Sequence, residues 1–479
     1  MEGINKEDSR NSMREFISSL PYSYNPTAKS LEIKSNYEKY ENKEVDIAGR
    51  IMGIRKSGKL IFMDVQDSLG KIQCFFSFDI IKEEKFEKLK TLNIGDIIGV
   101  KGKVFKTDPG EISVKAEEYT LLSKALRMLP DKWHGLQDVE LRYRKRYLDL
   151  IMNPSVKEII RTRSRIIQGI RDFLNSKGFI EVETPTIQPL YGGADAEPFK
   201  TKVNFLNEED YLRISDELYL KRLIIGGMEK VYEICKDFRN EDLDVTHSPE
   251  FTMIEWYQAY ADYNDMMNLY EELLAYLAKT IFGKLVFEYG NFNIDFTPPF
   301  KRVKYVDSLN EKLGLDILSL PNEELFALAE KEGIKFEPGK RNRSHAYDKL
   351  FEKRVQPELI QPSFVVDFPR ETSPLTRPKR GNPKLVERFE MYVAGVELAN
   401  SYSELNNPII QRENFEAEVE KAKEGDKEAE PLDMDFVEAM EYGMPPTGGL
   451  GLGIDRLVMM FTNKQSIKEV IPFPMLKRI

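Results

Sequence analysis

Cysteine is nearly missing from this chain: Cys74 and Cys235 are the only two among 479 residues, and they lie far apart. Two isolated thiols offer no disulfide framework and match no zinc-ligand spacing, a pattern that suits a reducing compartment. Long apolar runs are missing too. No stretch approaches the roughly 20 residues that a membrane-spanning helix needs. The opening MEGINKEDSRNSMREF has no apolar core of the kind a secretory signal requires. These absences lead us to expect a cytoplasmic protein with no place in a membrane. Positive charge is not in excess. A formal net charge of −10 excludes a chain coated in basic residues but leaves room for a local nucleic-acid-binding patch. What is present is ordinary for a globular protein. With 41% hydrophobic and 31% charged residues, the chain can build a large core, and its length suggests two or three domains.

Residues 1–43 are polar and helix-tending, with a break at Pro21–Pro26 and an exposed helix expected over Ser30–Lys43. From Glu44 to about residue 125 the pattern changes to short alternating strands, near 45–54, 59–66, 71–78, 97–104 and 112–122. Turn residues sit at Lys56-Ser57-Gly58, Asp67–Gly70, Asn93–Asp96 and Asp108-Pro109-Gly110, and a helix-like charged segment, Ile81–Leu92, falls between the third and fourth strands. Five strands with one helix after the third read as a Greek-key barrel of the OB type. Such barrels bind single-stranded nucleic acid by stacking bases on aromatics beside basic groups. Arg50, Arg55, Lys59, Phe62, Gln73, Phe75 and Phe76 are the candidates for that face; by alternation Gln73 and Phe75 share one side and Phe76 takes the other. The competing reading is that the Phe residues fill the barrel core. Residues 126–155 read as a linker, with a locally basic run at Glu140–Leu148, and 156–479 as a further domain.

That domain opens on a helical pattern over Val156–Lys177, apolar at Ile159, Ile160, Ile166, Ile167, Ile170 and Phe173 and ending at Gly178. A strand from Phe179 is stopped by Pro185. Gly192-Gly193 marks a backbone able to approach a ligand closely. At Leu212–Leu220 a strand turns into a helix, with Glu217 near its start, where a carboxylate favours the helix dipole whatever its function. A strand over Val231–Glu241, a loop through His247-Ser248-Pro249 and a strand over Glu250–Tyr260 follow. Phe251, Glu255 and Tyr257 share a face of the second strand, and Arg239 offers a planar fork to a phosphate or carboxylate. Beyond the strand Ser363–Phe368, a hairpin and a charged helix over Gln411–Gly425, a glycine-rich strand from Met444 leads into an apolar helix with Arg456 in its first turn.

The hairpin carries the densest chemistry. Its strands read as Phe389–Val393 and Val396–Ser403 about a turn at Ala394-Gly395. Val393 then faces Val396, Tyr392 faces Glu397, Glu390 faces Ala399, and Glu390, Tyr392 and Glu397 share one face. Two carboxylates so close need a divalent cation, a Lys or Arg, or solvent between them. Asn400, Tyr402 and Glu404 alternate onto the face opposite Glu397. For both sets to line one cavity, the strand has to bulge between Leu398 and Ser401. A solvated hairpin with its acids outward is the competing reading.

The helix and strand ending at Pro185, the FRNE–loop–EF strand pair and the G-x-G-x-D-R strand-helix resemble the three signature motifs of class II aminoacyl-tRNA synthetases. The wording GGADAEPF, ELYLKRLIIGG, DFRNEDLDVTHSPEFTMIEWYQAYADY, ELANSYSELNNP and EYGMPPTGGLGLGIDR is similar to the lysyl class II family. The resemblance runs from residue 44 to about 475. It implies an α+β chain: an N-terminal OB-fold β-barrel that binds the anticodon, then a class II catalytic domain built on an antiparallel sheet flanked by helices. It further implies activation of L-lysine by ATP, transfer to the 3′ end of tRNA(Lys), Mg2+ as cofactor and a homodimer to which the long helix before Pro185 contributes.

By position, the resemblance assigns Arg239 and Arg456 as catalytic, Arg239 on the α-phosphate and Arg456 on the γ-phosphate. Asn240, Glu241, His247, Ser248, Phe251, Glu397, Leu398 and Gly453 join them around ATP, with Phe251 under adenine. Glu390 and Glu397 would hold the metal. Lysine would be held by Gly193, Glu217, Glu255, Tyr257, Asn400, Tyr402 and Glu404, with Glu217 on the α-amino group and Glu404 and Tyr257 on the ε-ammonium. The anticodon would meet Arg55, Phe62 and Gln73. The chain departs from the family pattern at Ser215-Asp216, where Ala-Pro is usual, at Asp195 and at Val396. A sister synthetase for aspartate or asparagine would need Arg or Lys where Glu404 and Glu255 stand. A synthetase-like paralogue that modifies a protein or only binds RNA would not need Arg239, Glu390, Glu397 and Arg456 intact.

Overall fold

The computed structural model describes residues 4–130, 136–241, 243–336, 340–423, 425 and 428–478. Part of the expected linker, 131–135, and residue 424 of the expected charged helix lie outside the described residues. The chain divides into two compact units, 1–137 and 138–479.

In the first unit β1 (Glu44–Ser57), β2 (Leu60–Gln66), β3 (Lys71–Ser77), β4 (Ile97–Lys106) and β5 (Ile112–Ser123) close into a barrel in the order β1-β2-β3-β5-β4. The helix α1 (Glu83–Lys90) falls between β3 and β4. Alternation sorts β3 as its sequence requires: Ile72, Cys74 and Phe76 enter the barrel core while Phe75 turns outward. The expected exposed helix over Ser30–Lys43 is a correction. It is broken at Asn36 into Ser30–Ser35 and Tyr37–Tyr40, and Ile33 is buried in the barrel core. The reason is an anchor: the backbone N–H and hydroxyl of Ser30 both donate to Asp67, at 2.6 and 2.8 Å.

The second unit begins with the long helix α2 (Pro154–Ser176) and the short strand β6 (Ile180–Glu181). It continues with α3 (Glu217–Ile225), β7 (Lys230–Phe238), β8 (Glu250–Ala259), α4 (Tyr263–Phe282) and β9 (Lys301–Lys304). Then come β10 (Ser363–Pro369), β11 (Asn382–Val393), β12 (Val396–Ser403), β13 (Thr447–Gly453) and α5 (Ile454–Thr462). The main sheet runs β9-β10-β11-β12-β13-β8-β7-β6, antiparallel except at its two ends, where β9 pairs with β10 and β6 with β7 in parallel. The strand expected from Phe179 to Pro185 is only two residues long. The Thr184 backbone N–H is taken by the side-chain carboxylate of Glu233 at 2.9 Å instead of by a backbone carbonyl of β7.

The two faces of β8 explain the layout. Thr252, Ile254 and Trp256 are buried toward α2, α4 and α5; the last two join a core with Ile166 and Ile170 of α2, Leu273 and Leu277 of α4 and Leu457 of α5. Phe251, Met253, Glu255 and Tyr257 point the other way. A buried ion pair ties the helices to the sheet. Arg163 of α2 donates to Asp455 of α5 at 2.5 Å and to the Thr252 hydroxyl at 2.8 Å, and the Thr252 N–H donates to Asp455 at 2.7 Å.

The β11–β12 hairpin turns at Ala394-Gly395, both with positive φ (50° and 74°), the requirement of a type I′ turn. Val393 pairs with Val396 and Tyr392 with Glu397, but Met391 pairs with Ala399, and Glu390 with Asn400 rather than with Ala399. Leu398 is the extra residue of a bulge, at the first position of the expected interval from Leu398 to Ser401. Consecutive burial of Leu398 and Ala399 marks the break in alternation. The helix expected over Gln411–Gly425 is observed over Pro408–Lys423. Not all of its polar groups face water, since Gln411 and Glu418 are buried.

Arg163→Ala leaves Asp455 buried without its cation. The substitution is expected to cost about 3–5 kcal/mol of stability, read as a lower urea midpoint with an unchanged slope.

Candidate active site

The polar face of β8, the bulged β12, β13 and the start of α3 enclose a cavity of about 360 Å³. Of the residues anticipated for the catalytic unit, every one except Asn240 lines it. Asn240 is exposed, and its backbone N–H is spent on the Glu197 carbonyl at 2.8 Å. Leu398 lines the cavity through its backbone, because its side chain belongs to the core.

At one end stand two guanidinium groups. Arg239, just beyond β7, sits 5.2 Å from the Phe251 ring centroid and donates to the Ile214 carbonyl at 3.3 Å. Arg456 is held from two sides. It donates to the Glu397 carbonyl at 2.8 Å and lies 3.0 Å from His247 Nε2, whose other ring nitrogen is 2.9 Å from Asp244. Two fixed cations beside an aromatic face suit a polyanion carrying a flat ring.

Glu390 and Glu397 line the same cavity. Glu390 accepts from Arg388 and from the Tyr392 hydroxyl, both at 2.5 Å, and Arg388 also donates to the Asn400 amide oxygen at 3.1 Å. Burial pushes Glu390 up to about 7, with Arg388 opposing and Glu397 reinforcing the shift. Of the three options for the space between the carboxylates, basic side chains are present at both, Arg388 on Glu390 and Arg456 on Glu397. Carboxylate oxygens keep further lone pairs after accepting one bond, and Glu397 is 38% exposed to the cavity. This donor set fits a hard cation such as Mg2+, which takes one or two carboxylates and shares the rest of its shell with phosphates.

The other end is a nest of carboxylates. Glu217 opens α3, Glu255 comes from β8 and Glu404 follows β12. The Tyr257 hydroxyl donates to Glu255 at 2.7 Å and Ser215 to its other oxygen at 2.8 Å. Lys221, one turn along α3 from Glu217, is buried between Glu217 and Glu404 and pairs with both. Lys221 meets one Glu404 oxygen, and the other, Oε1, has no hydrogen-bond partner among the described residues. Burial pushes Glu404 to about 8 and Glu217 to about 7, against the opposing pull of Lys221. Asn400 donates to the Tyr402 hydroxyl at 2.7 Å.

Two glycines make the room. Gly193 adopts φ +87°, and a Cβ there would meet Ser215 and Glu217 below 3 Å. A Cβ on Gly449 of β13 would stand 2.3 Å from both Glu404 and the Tyr257 ring. Glu430, unanticipated, accepts the Gly193 N–H at 2.6 Å, while its second oxygen has no partner among the described residues.

Sequence reasoning missed Lys221, Arg388 and Glu430. The first two had a local signal, because Lys221 is at helical i+4 spacing from Glu217 and Arg388 alternates onto the face of Glu390. Glu430 had none.

In the first unit Arg55, Phe62 and Gln73 come together on one barrel face. Arg55 donates to Gln73 at 2.5 Å and lies 5.8 Å from the Phe62 ring centroid, which is 5.2 Å from that of Phe75. Arg50 is tied to the Gly95 carbonyl at 2.7 Å, Lys59 lies over Phe78 at 5.2 Å, and Phe76 is in the core.

Comparison with known proteins bears on both units. Residues 138–477 match the family model of the class II tRNA synthetases (D, K and N), and residues 45–122 that of the OB-fold nucleic acid binding domain. A lysine–tRNA ligase of Pelotomaculum thermopropionicum is 52% identical over 447 residues, 93% of this chain and 88% of the relative. One of Thermotoga sp. (strain RQ2) is 49% identical over 98% of this chain and 96% of its own length. One of Clostridium perfringens is 48% identical over 95% and 92%.

The raised carboxyls carry a pH prediction. Glu217, Glu390 and Glu404 hold protons in the folded chain at pH values where the unfolded chain has lost them. Stability therefore falls as pH rises through their folded values, by about 1.4 kcal/mol per pH unit for each group still protonated only when folded. The ligand-free protein is expected to show a falling Tm between about pH 6 and about pH 8, and Glu404→Gln to flatten that fall. A Tm that climbs over the same range would contradict it.

Proposed function

The chain belongs to the class II tRNA synthetases of the D, K and N group, and on that footing we propose that it is a lysine–tRNA ligase. It activates L-lysine with ATP to lysyl-adenylate, releasing pyrophosphate, and transfers lysine to the 3′ end of tRNA(Lys). The observation that carries this reading is the carboxylate nest, where Glu217, Glu255, Glu404 and Glu430 line one cavity and Lys221, paired with Glu217 and Glu404, is the one ammonium among the described residues set against them. A cavity so acidic suits a ligand with two ammonium groups about 6 Å apart on backbone-like bond lengths. It does not suit aspartate, whose side chain would need a free cation where Glu404 and Glu255 stand.

Glu217 takes the α-ammonium beside Gly193, and Glu404 with Tyr257 takes the ε-ammonium; Glu255 orients Tyr257, and Asn400 and Tyr402 line the approach. The substrate carboxylate is left pointing toward Arg239. Phe251 carries the adenine, His247, Ser248 and Glu241 flank the nucleotide, and Arg456 holds the γ-phosphate. Asn240 and the backbone at Leu398 and Gly453 complete the ATP contacts.

Adenylate formation needs no protein nucleophile. The lysine carboxylate attacks the α-phosphorus in line, the bond to the bridging oxygen breaks, and pyrophosphate leaves. Arg239 and Arg456 stabilise the charge that develops. Glu390 and Glu397 would hold Mg2+, which when bound neutralises phosphate charge and orients the leaving group. Bringing a cationic substrate to partly protonated carboxyls releases protons, so binding strengthens as pH rises toward 8.

The barrel face of Arg55, Phe62 and Gln73 binds the anticodon by stacking and hydrogen bonding. The protein works in the cytoplasm as a homodimer. The open sheet edge at β6, where Ile180 is 55% exposed, is a surface suited to a second copy.

Aminoacylation of unfractionated tRNA with each amino acid in turn tests the assignment. Lysine alone is expected to be charged, and charging with aspartate in its place sinks it. Glu404→Gln is expected to raise the KM for lysine in pyrophosphate exchange roughly 10- to 100-fold, the value of one hydrogen bond to a charged group, with the KM for ATP little changed. Equal losses in both would remove Glu404 from the ε-ammonium. Phe62→Ala, which removes one stacking platform worth about 1–3 kcal/mol, is expected to raise the KM for tRNA while lysine-dependent pyrophosphate exchange keeps its rate.

A further inference from the structure

Beneath the amino-acid pocket lies a carboxyl group with no role in the reaction just described. Asp216 occupies the N-cap position of α3, where an Asp side chain ordinarily accepts from N–H groups of the first turn, yet it makes no such bond. Its residue is fully buried, and among the described residues no donor reaches either carboxylate oxygen. The side chain turns inward instead. One of its oxygens, the Cys235 Sγ and an oxygen of Asp237 all lie within 4.8 Å of one another, and Glu255 is within hydrogen-bonding reach.

The surroundings supply acceptors and, among the described residues, no free cation beside Asp216. From β7 come Glu233, Cys235 and Asp237; from β8, Glu255 with Tyr257 bonded to it; from α3 itself, Glu217. Arg213 is taken up by Glu233 at 2.6 Å and Asp237 at 3.4 Å, Arg239 lies beyond Asp237, and Lys221 is held by Glu217 and Glu404. An ionised carboxylate facing only other acceptors, out of water, is strongly disfavoured. Protonation removes the charge and converts the group from acceptor to donor.

We propose that Asp216 is carried in the folded protein as the neutral acid, and that its O–H, donated to Glu255, is a positioning bond that holds Glu255, and through it Tyr257, in place for the ε-ammonium of lysine. The inference rests on the reading of the cavity as a lysine pocket. Asp216 itself touches no substrate. Burial first, then the charges of Glu255, Asp237 and Glu233, raise the pH at which it titrates well above the usual carboxylate range. Loss of the proton sets a second charge against Glu255 and removes its donor, so lysine affinity falls at alkaline pH.

The test is the KM for lysine in lysine-dependent pyrophosphate exchange from about pH 6.5 to about pH 9 for the unaltered protein, Asp216→Asn and Asp216→Ala. The Asn amide donates N–H to Glu255 but does not titrate. At pH 6.5 its KM is expected within about twofold of the unaltered protein, whereas Asp216→Ala loses about tenfold, the value of one buried bond to a charged group, with the KM for ATP little moved. The KM ratio of the unaltered protein to Asp216→Asn, in which titration of lysine itself cancels, is expected to rise toward pH 9. A constant ratio, or an Asn variant as impaired as the Ala variant, overturns the inference while leaving the lysine pocket intact. So does a stoichiometric metal ion in the purified protein that Cys235→Ser removes. Absence of lysine-dependent exchange in the unaltered protein overturns the pocket, and this inference with it.

Discussion

Compensation of buried carboxylates is the constraint on which the second unit depends. Glu217, Glu255, Glu404 and Glu430 approach one cavity out of contact with bulk water, and among the described residues the one ammonium paired into this group is that of Lys221. Left ionised together they would repel strongly in a medium of low effective dielectric. The protein answers with partial protonation, with donors from Tyr257, Ser215 and the Gly193 backbone, and with one internal cation. An excess of negative charge remains after these are counted. An excess of this kind suits a ligand that brings positive groups, whose arrival would displace the protons.

The same sheet keeps this polar site apart from a dry core. Alternate residues of β8 serve opposite tasks, with Ile254 and Trp256 packed under the helices and Glu255 and Tyr257 turned to the cavity. Such a division works only while the sheet is held flat against the helices. The Arg163–Asp455–Thr252 bonds do this from within the core, one residue away from Arg456 on α5 and from Phe251 on β8. The glycines of β13 complete the arrangement by omission, because a methyl group at Gly449 would occupy the place of Glu404 and Tyr257.

The bulge at Leu398 joins the two halves of the cavity. Without it Glu397 and Asn400 would lie on opposite faces of β12, and the anion end and the carboxylate nest would not share a space. One extra residue in one strand thus sets Glu390 and Glu397 beside Asn400, Tyr402 and Glu404 in one cavity.

The sequence by itself determined the elements whose periodicity is strong and whose partners are near in the chain. These include the five barrel strands and the helix among them, the long helix ending before Gly178, the strand pair around His247-Ser248-Pro249, and the turn at Ala394-Gly395. It also determined which side chains share a strand face, since alternation is local, and so brought Phe251, Glu255 and Tyr257 to one surface. That a bulge must interrupt β12 if its two polar sets share a cavity followed from alternation. Its position at Leu398 did not, because register is set by pairing with β11 and β13 rather than by the strand itself. The tertiary structure alone decided the rest. Glu430 reaches Gly193 from 237 residues away, Ile33 is buried because Ser30 anchors on Asp67, and the strand after Phe179 is cut short because Glu233 captures the Thr184 N–H. Long-range contacts of this kind leave no periodic trace in either partner, and only the folded chain brings the two together.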